Sequence, residues 1–425
     1  MTDMTTNGVP GNVISFSAVA KSCQAGGEAT WVTLCQCDKN GKPLNNLANI
    51  MIALRNDQNL SQSFALDEML QAPKLMQPLP GEPEPQNFKP RPITDQDVTR
   101  SQELLQLAGL KGIGKDLMHQ AIDARAHENG FHPVRQYLGN LKWDGVKRVD
   151  TWLSFYLGAE QTPYTEAVGR MFLISMVARV YEPGCKADYM IVLEGPQGAR
   201  KSTACAHLGG IWFSDSLPDV NAGKDVLQHL LGKWLIEIPE MSALQRAEAA
   251  RMKAFLTIRV DRYRRSYGRK EIVQPRQCIF IGTTNQSIYL RDETGGRRFW
   301  PVGVGKIDTD ALVKDRGQLF AEALRLFSQG EPWHPTDDFE KQYIRPEQDA
   351  RFEVDVWEET IRAFLEEYQP ESLLVGDLLK KAFEIESGHR STRSQRRVTA
   401  ILQRLGWRRL KKDSKGYNPW VPPLG

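Results

Sequence analysis

The chain has 425 residues, which at roughly 150 residues per domain allows two to four domains and a substantial core. Hydrophobic residues make up 41% and charged residues 25%, and 55 Lys and Arg against 52 Asp and Glu leave a net charge of only +3. These figures exclude wholesale disorder and a uniformly basic nucleic-acid coat, so any basic surface must be local.

The opening MTDMTTNGVPGNV has neither a basic start nor an apolar stretch and does not read as a signal peptide. No apolar run reaches the ~18–20 residues of a membrane span. Six scattered cysteines (Cys23, Cys35, Cys37, Cys185, Cys205, Cys278) read as reduced thiols, and the chain as soluble and intracellular. Residues 1–12 are polar and Gly-rich and read as a disordered tail. Residues 13–76 read as a small N-terminal unit, strand-like in ATWVTLCQC and helix-like in LANIMIALRND. Its Cys23, Cys35 and Cys37 lack a fourth close ligand, so isolated thiols are favoured over zinc. A Pro-rich linker is expected over 77–93.

Residues 94–186 carry apolar positions at helical spacing, and His119, His127 and His132 there read as surface or satisfied side chains. From 187 to 350 short β-rich apolar runs alternate with helices, the pattern of an α/β domain. Within it, DYMIVLE reads as a buried parallel strand and runs into GPQGARKS (Gly195 to Ser202) and then a helix. A Gly-rich loop between strand and helix offers backbone N–H groups and a helix N-terminus as an anion cradle. Lys201 would meet the β- and γ-phosphates and Ser202 a magnesium ion. Arg200 stands where the G-x-x-x-x-G-K-[ST] pattern has its second glycine.

KWLIEIPEM carries Glu237 in a strand that should stop near Ile238, because Pro239 lacks a ladder donor, leaving Glu240 at the carboxyl edge. Ligands of open α/β sheets bind at that edge, and an acid there can hold metal or orient water. QCIFIGTTN ends at Asn285, which could position water, and RDETGGRRFWPV supplies Arg297 and Arg298 after a Gly-Gly bend. Singly these features also fit a glycine turn, surface carboxylates, a turn Asn and a solvated arginine pair. Together, in this order and at strand ends, they point to phosphoryl chemistry.

This set resembles the virulence-associated protein E family, whose central domain is similar to superfamily 3 helicases within the AAA+ ATPases. The resemblance rests on GPQGARKS, WLIEIPE, VDRYRRSYGR, IGTTN and TGGRRFWPV, and extends upstream through NGFHPVRQYLGNLKWDGVKRVDTWL. It implies a P-loop AAA+ core with a nucleotide cradle at Gly195, Gly198, Arg200, Lys201, Ser202 and Thr203. It also implies ATP with Mg2+ as cofactors, Ser202 and Glu237 holding the metal, and Glu240 acting on water. Asn285 resembles the sensor and Arg297 or Arg298 the arginine finger. Glu-x-x-Glu replaces the adjacent acidic pair usual in AAA+ proteins. Such families belong to phages and satellite elements, which implies the cytoplasm of a bacterial host cell and a role in replicating mobile DNA.

Two basic segments would bind DNA. Arg259 to Arg276 holds seven basic residues against Asp261 and Glu271, with Tyr263 and Tyr267 interleaved. Arg262, Arg264, Arg265, Arg269 and Lys270 would contact phosphates while the tyrosines stack bases of a single strand. The resemblance implies a pore-facing hairpin here; a solvated or nucleotide-binding loop is the alternative. Residues 351–425 read as three amphipathic helices and a β-wing, with ten basic residues between Arg390 and Lys415 against Asp413 alone. That pattern suggests a winged-helix domain whose third helix, with Arg393, Arg396 and Arg397, enters duplex DNA; a protein-contacting module is the alternative.

The function expected is an ATP-driven DNA translocase or helicase in a homo-oligomeric ring such as a hexamer, working with replication partners. An ATP-gated regulator or interference protein without unwinding, and a non-enzymatic DNA-binding initiator, are its rivals.

Overall fold

The computed structural model describes residues 30–82, 87–243, 246–264, 271–290, 298–352, 355–412 and 417–423. The expected disordered tail over residues 1–12 and Cys23 therefore lie outside the described residues. The chain divides into two compact units: 1–142 with 227–234, and 143–226 with 235–425.

The first unit has one core, and it ignores the boundaries expected at 76/77 and 93/94. Trp31, Leu54 and Phe64 pack in the same cluster as Leu79, Val98, Leu105 and Ile122. Helix α1 (Leu47–Asn56), capped by the Asn46 side chain, contributes a buried Ile50, Ala53 and Leu54 face. Strands β1 (Phe64–Asp67), β2 (Ala72–Leu75) and β3 (Arg91–Pro92) form an antiparallel sheet. The Pro-rich stretch thus supplies an edge strand, where proline is tolerated, and buries Leu79 at 2% exposure. Helices α2 (Asp95–Leu107) and α3 (Lys115–Glu128) complete the packing, followed by α4 (Pro133–Gly139). Thr30–Leu34 is a 3-10 turn, not the strand its β-branched residues suggested. Burial of the Trp31 ring and its Nε1 donation to Asp57 at 3.0 Å override that local preference.

In the second unit, α5 (Trp152–Leu157) precedes α6 (Pro163–Tyr181), a helix apolar on all sides and therefore buried almost throughout. Because α6 packs against the sheet that follows, the expected boundary at 186/187 does not divide the fold. The sheet comprises β4 (Met190–Glu194), β5 (Phe213–Ser214), β6 (Leu235–Ile238), β9 (Ile279–Thr284) and β10 (Phe299–Gly303). Helix α7 (Lys201–Gly209) follows β4, α8 (Arg246–Leu256) follows β6, and α9 (Thr309–Ser328) packs on α6 and α7. The spatial order is β10-β4-β9-β6-β5, and every pairing is parallel. Strands covered on both faces need continuous apolar runs, as in MIVLE and LIEI, whose residues are all buried. This is the α/β sheet expected from the alternation. Inserting β9 between β4 and β6 brings the polar ends of three sequence-distant strands to one edge.

Between β6 and β9 an antiparallel hairpin projects, β7 (Val260–Arg264) with β8 (Glu271–Pro275). Its base is locked by Arg276 and Asp261, whose side chains are 1% and 5% exposed. The Arg276 guanidinium donates to both Asp261 oxygens, at 3.1 and 2.6 Å, and to the Phe255 carbonyl at 2.6 Å. Asp261→Ala would strand a buried cation, at a cost of about 3–5 kcal/mol. Urea unfolding should show that loss; a change under about 1 kcal/mol would contradict a buried anchoring pair.

The C-terminal segment has helices α10 (Val356–Tyr368), α11 (Val375–Phe383) and α12 (Thr392–Arg404) and a short ribbon of β11 (Arg408–Arg409) with β12 (Trp420–Val421). Ile361, Leu379, Ile401, Leu402 and Trp420 form its own core. Among the described residues no helix is long and apolar enough to cross a membrane.

Candidate functional site

Gly195 directly follows β4. A Cβ there would lie 2.9 Å from the Val304 side chain, so the close approach requires glycine. Gly198 has φ +82 and Arg200 φ 66, ψ 26, so both bends that curl the loop into α7 use the left-handed region. Arg200 therefore takes the conformation a glycine would take freely, at a strain cost of about 1 kcal/mol. Its side chain is exposed. Arg200→Gly should hold or raise stability by up to about 1 kcal/mol, read as the urea midpoint. A loss beyond 1 kcal/mol would mean that Arg200 stabilises the fold in a way its conformation does not reveal.

Lys201, at the first position of α7, is 7% exposed and turns under the loop. Its Nζ donates to the Gly195 and Pro196 carbonyls at 2.7 and 2.9 Å and to Asn285 Oδ1 at 2.9 Å. Burial lowers its pKa, and the nearby Glu237 charge works in the opposite direction. Ser202 Oγ donates to Glu237 Oε1 at 2.6 Å, and Thr283 Oγ1 donates to the same oxygen at 2.7 Å. Glu237 is completely buried, and its second oxygen has no hydrogen-bond partner among the described residues. A carboxylate with one satisfied and one orphaned oxygen, next to a serine hydroxyl at a helix N-terminus, is a hard-oxygen donor set suited to magnesium.

Strand β6 ends at Ile238, before Pro239, and Glu240 follows, exposed and at φ 51. Thr203 is exposed on the first turn of α7. The loop, Lys201, Ser202, Glu237, Glu240 and Asn285 thus share the carboxyl edge of the sheet. Arg298 does not. It precedes β10, whose Phe299 pairs with Met190 at the start of β4. Arg298 therefore sits at the opposite edge, level with the residue before Met190 and roughly 20 Å of strand from the loop at ~3.3 Å per residue. Arg297 lies outside the described residues.

The residues expected to meet DNA separate in the same way. Along β7 exposure alternates, so Arg262 and Arg264 face outward while Tyr263 is buried at 5%. The expected stacking role of Tyr263 is corrected accordingly: its ring belongs to the hairpin base and presents no face to a nucleobase. Arg276, counted with the basic residues, is likewise buried in its pair with Asp261. Arg265, Tyr267, Arg269 and Lys270 lie outside the described residues. On α12, Arg393 and Arg396 are exposed. Arg397 pairs with Asp355 at 2.6 Å and lies 4.4 Å from the Trp357 ring centroid, so it staples α12 to α10 while its side chain stays about a third exposed. Among the described residues no group of three or more His, Cys, Asp or Glu is arranged to hold a metal.

The profile of the virulence-associated protein E-like domain matches residues 138–353, half of the chain, from α4 past the last strand of the sheet. The chain belongs to this family. Every residue placed at the carboxyl edge, and Arg298, falls within the matched span, while α10 to β12 fall outside it. No curated protein matches the chain. Solved structures of the NrS-1 C-terminal region are similar at 14% and 12% identity, with TM-scores of 0.42 and 0.47, each covering 85% of this chain and 96% of its own.

Thr283 was missed by sequence reasoning, although the polar end of IGTTN signalled that something there met a polar partner. Glu194 was missed as well, because as the last residue of an apolar run it read only as the strand's exit.

Proposed function

We propose that this family member is an ATP-driven DNA translocase, most simply a helicase serving replication of a phage or other mobile element, with ATP bound between subunits of a ring. The observation that carries the reading is the Ser202–Glu237 hydrogen bond beside the Lys201–Asn285 contact, at the carboxyl ends of three parallel strands. Backbone N–H groups from Gly195 to Thr203 would receive the phosphates, with Lys201 as their counter-charge. Ser202 and Glu237 would hold Mg2+, which neutralises charge on the phosphates when bound. Glu240, exposed and two residues past the strand, would orient the attacking water, and Asn285 would fix its position. Arg200 reaches the left-handed conformation the loop needs, which weighs against a decayed site and so against the non-enzymatic initiator.

The exposed arginines of β7 would grip one strand, and a winged-helix reading of the C-terminal segment gives α12 a duplex. Replacing both Arg393 and Arg396 by alanine should weaken duplex binding and lower the salt slope by about 1.8, at ~0.9 per phosphate contact. An unchanged slope in a fluorescence titration would make this segment a protein-contact module. Strand displacement on forked DNA tests the whole reading. ATP-dependent displacement is expected; hydrolysis without displacement would favour an ATP-gated regulator.

A further inference from the structure

Glu194 is the residue immediately before the Gly-rich loop, and its partner lies far along the chain. Its side chain is 7% exposed, and burial pushes its carboxyl pKa up. Arg351 Nε donates to both of its oxygens at 3.1 Å, while Nη1 of the same guanidinium pairs with Glu347. The Arg351 carbonyl accepts from the Tyr289 and Leu290 N–H groups at 3.1 and 3.0 Å, and Leu290 forms a parallel bridge with Phe352. The segment leaving Asn285 and the segment entering the C-terminal helices are therefore zipped together at Arg351.

The contacts continue outward. The Arg404 guanidinium lies 4.2 Å from the Phe352 ring centroid, and its Nη1 is 3.1 Å from Glu358, whose side chain is 3% exposed. Arg404 is the last residue of α12 and Glu358 lies in the first turn of α10. Side-chain contacts at Arg351 and at its chain neighbour Phe352 thus join the residue that enters the phosphate-binding loop to the C-terminal end of the helix proposed to meet DNA. A structural staple alone would not need its pivot at the residue that leads into the loop.

We infer that Arg351 is a positioning residue that couples the nucleotide loop to α12, so that a nucleotide held at Gly195–Ser202 tightens the C-terminal helices through Glu194, Arg351, Phe352 and Arg404. This rests on the nucleotide reading of the loop. Coupling free energies between such sites typically correspond to factors of about 5–150. Lysine at 351 would keep the charge without the planar guanidinium that spans both Glu194 oxygens.

The test is amide hydrogen exchange of the full chain with and without Mg2+ and a non-hydrolysable ATP analogue, alongside the analogue's affinity. In the wild-type chain the analogue should slow exchange across α12 about fivefold or more. Arg351→Met should bind the analogue within about threefold of wild type yet lose the α12 response, and Arg351→Lys should restore part of it. Arg404→Ala, which leaves Glu194 paired, should lose the response too and covers the case in which Arg351→Met fails to fold. Analogue binding without a wild-type α12 response, or a full response in Arg404→Ala, overturns the coupling alone. No analogue binding by the wild-type chain overturns the nucleotide reading and the coupling with it.

Discussion

Lys201→Ala should lower ATP turnover by about 10²–10³-fold while leaving the chain folded. The ammonium is directed under the Gly195–Ser202 loop, and electrostatic stabilisation by a preorganised donor is typically of that size. Its hydrogen-bond partners are two carbonyls at the solvent-accessible loop and Asn285, with no carboxylate within ion-pair distance. Truncation leaves the buried Glu237 with its Ser202 and Thr283 donors, whereas Asp261→Ala removes the carboxylate hydrogen-bonded to Arg276. The expected result is near-wild-type urea unfolding beside phosphate release close to background. Turnover within a few-fold of wild type would remove Lys201 from the site.

The second large effect belongs to Arg298, and it should appear only between chains. Because β10 runs parallel to β4 with Phe299 opposite Met190, Arg298 enters at the sheet edge remote from its own loop. An arginine there cannot neutralise a γ-phosphate bound by the same subunit, but it can serve a neighbour in a ring. An arginine finger contributes about 10³–10⁵ in rate, so Arg298→Ala should be nearly inactive. Wild-type turnover should rise steeply with chain concentration. Mixed with Lys201→Ala, the arginine variant should recover partial turnover, since one junction can join an intact loop to an intact arginine. Residual rates that simply add, for Arg297→Ala as well, would reject a shared site.

The sheet was legible in the sequence because strands buried on both faces must be apolar throughout, and MIVLE, LIEI and IFIGTT stand out for that reason. Their spatial order was not, since insertion of β9 between β4 and β6 is decided by long-range packing that no local pattern encodes. The loop, Lys201, Ser202, Glu237 and Asn285 were found from residue type and strand-end position, and the fold brings them within hydrogen-bonding reach. Tyr263 was misread although its cue was present. In VDRYR the alternation of a strand sets Arg262 and Arg264 on one face and Asp261 and Tyr263 on the other, so interleaved aromatics and arginines do not share a surface. Arg351 could not have been found, because its role depends on an acid 157 positions earlier. The merging of the N-terminal unit with α2 and α3 escaped notice for a related reason. A proline-rich stretch can be an edge strand as readily as a linker, and only the burial of Leu79 decides which.

ATP hydrolysis by the wild-type chain, with and without single-stranded DNA, is the decisive measurement for a nucleotide-driven motor. Magnesium-dependent phosphate release that rises when single-stranded DNA is added, and falls to background in Lys201→Ala, is the result expected of a DNA-driven motor with its nucleotide at Gly195–Ser202. No release above background in either condition, or release that survives Lys201→Ala, would contradict it.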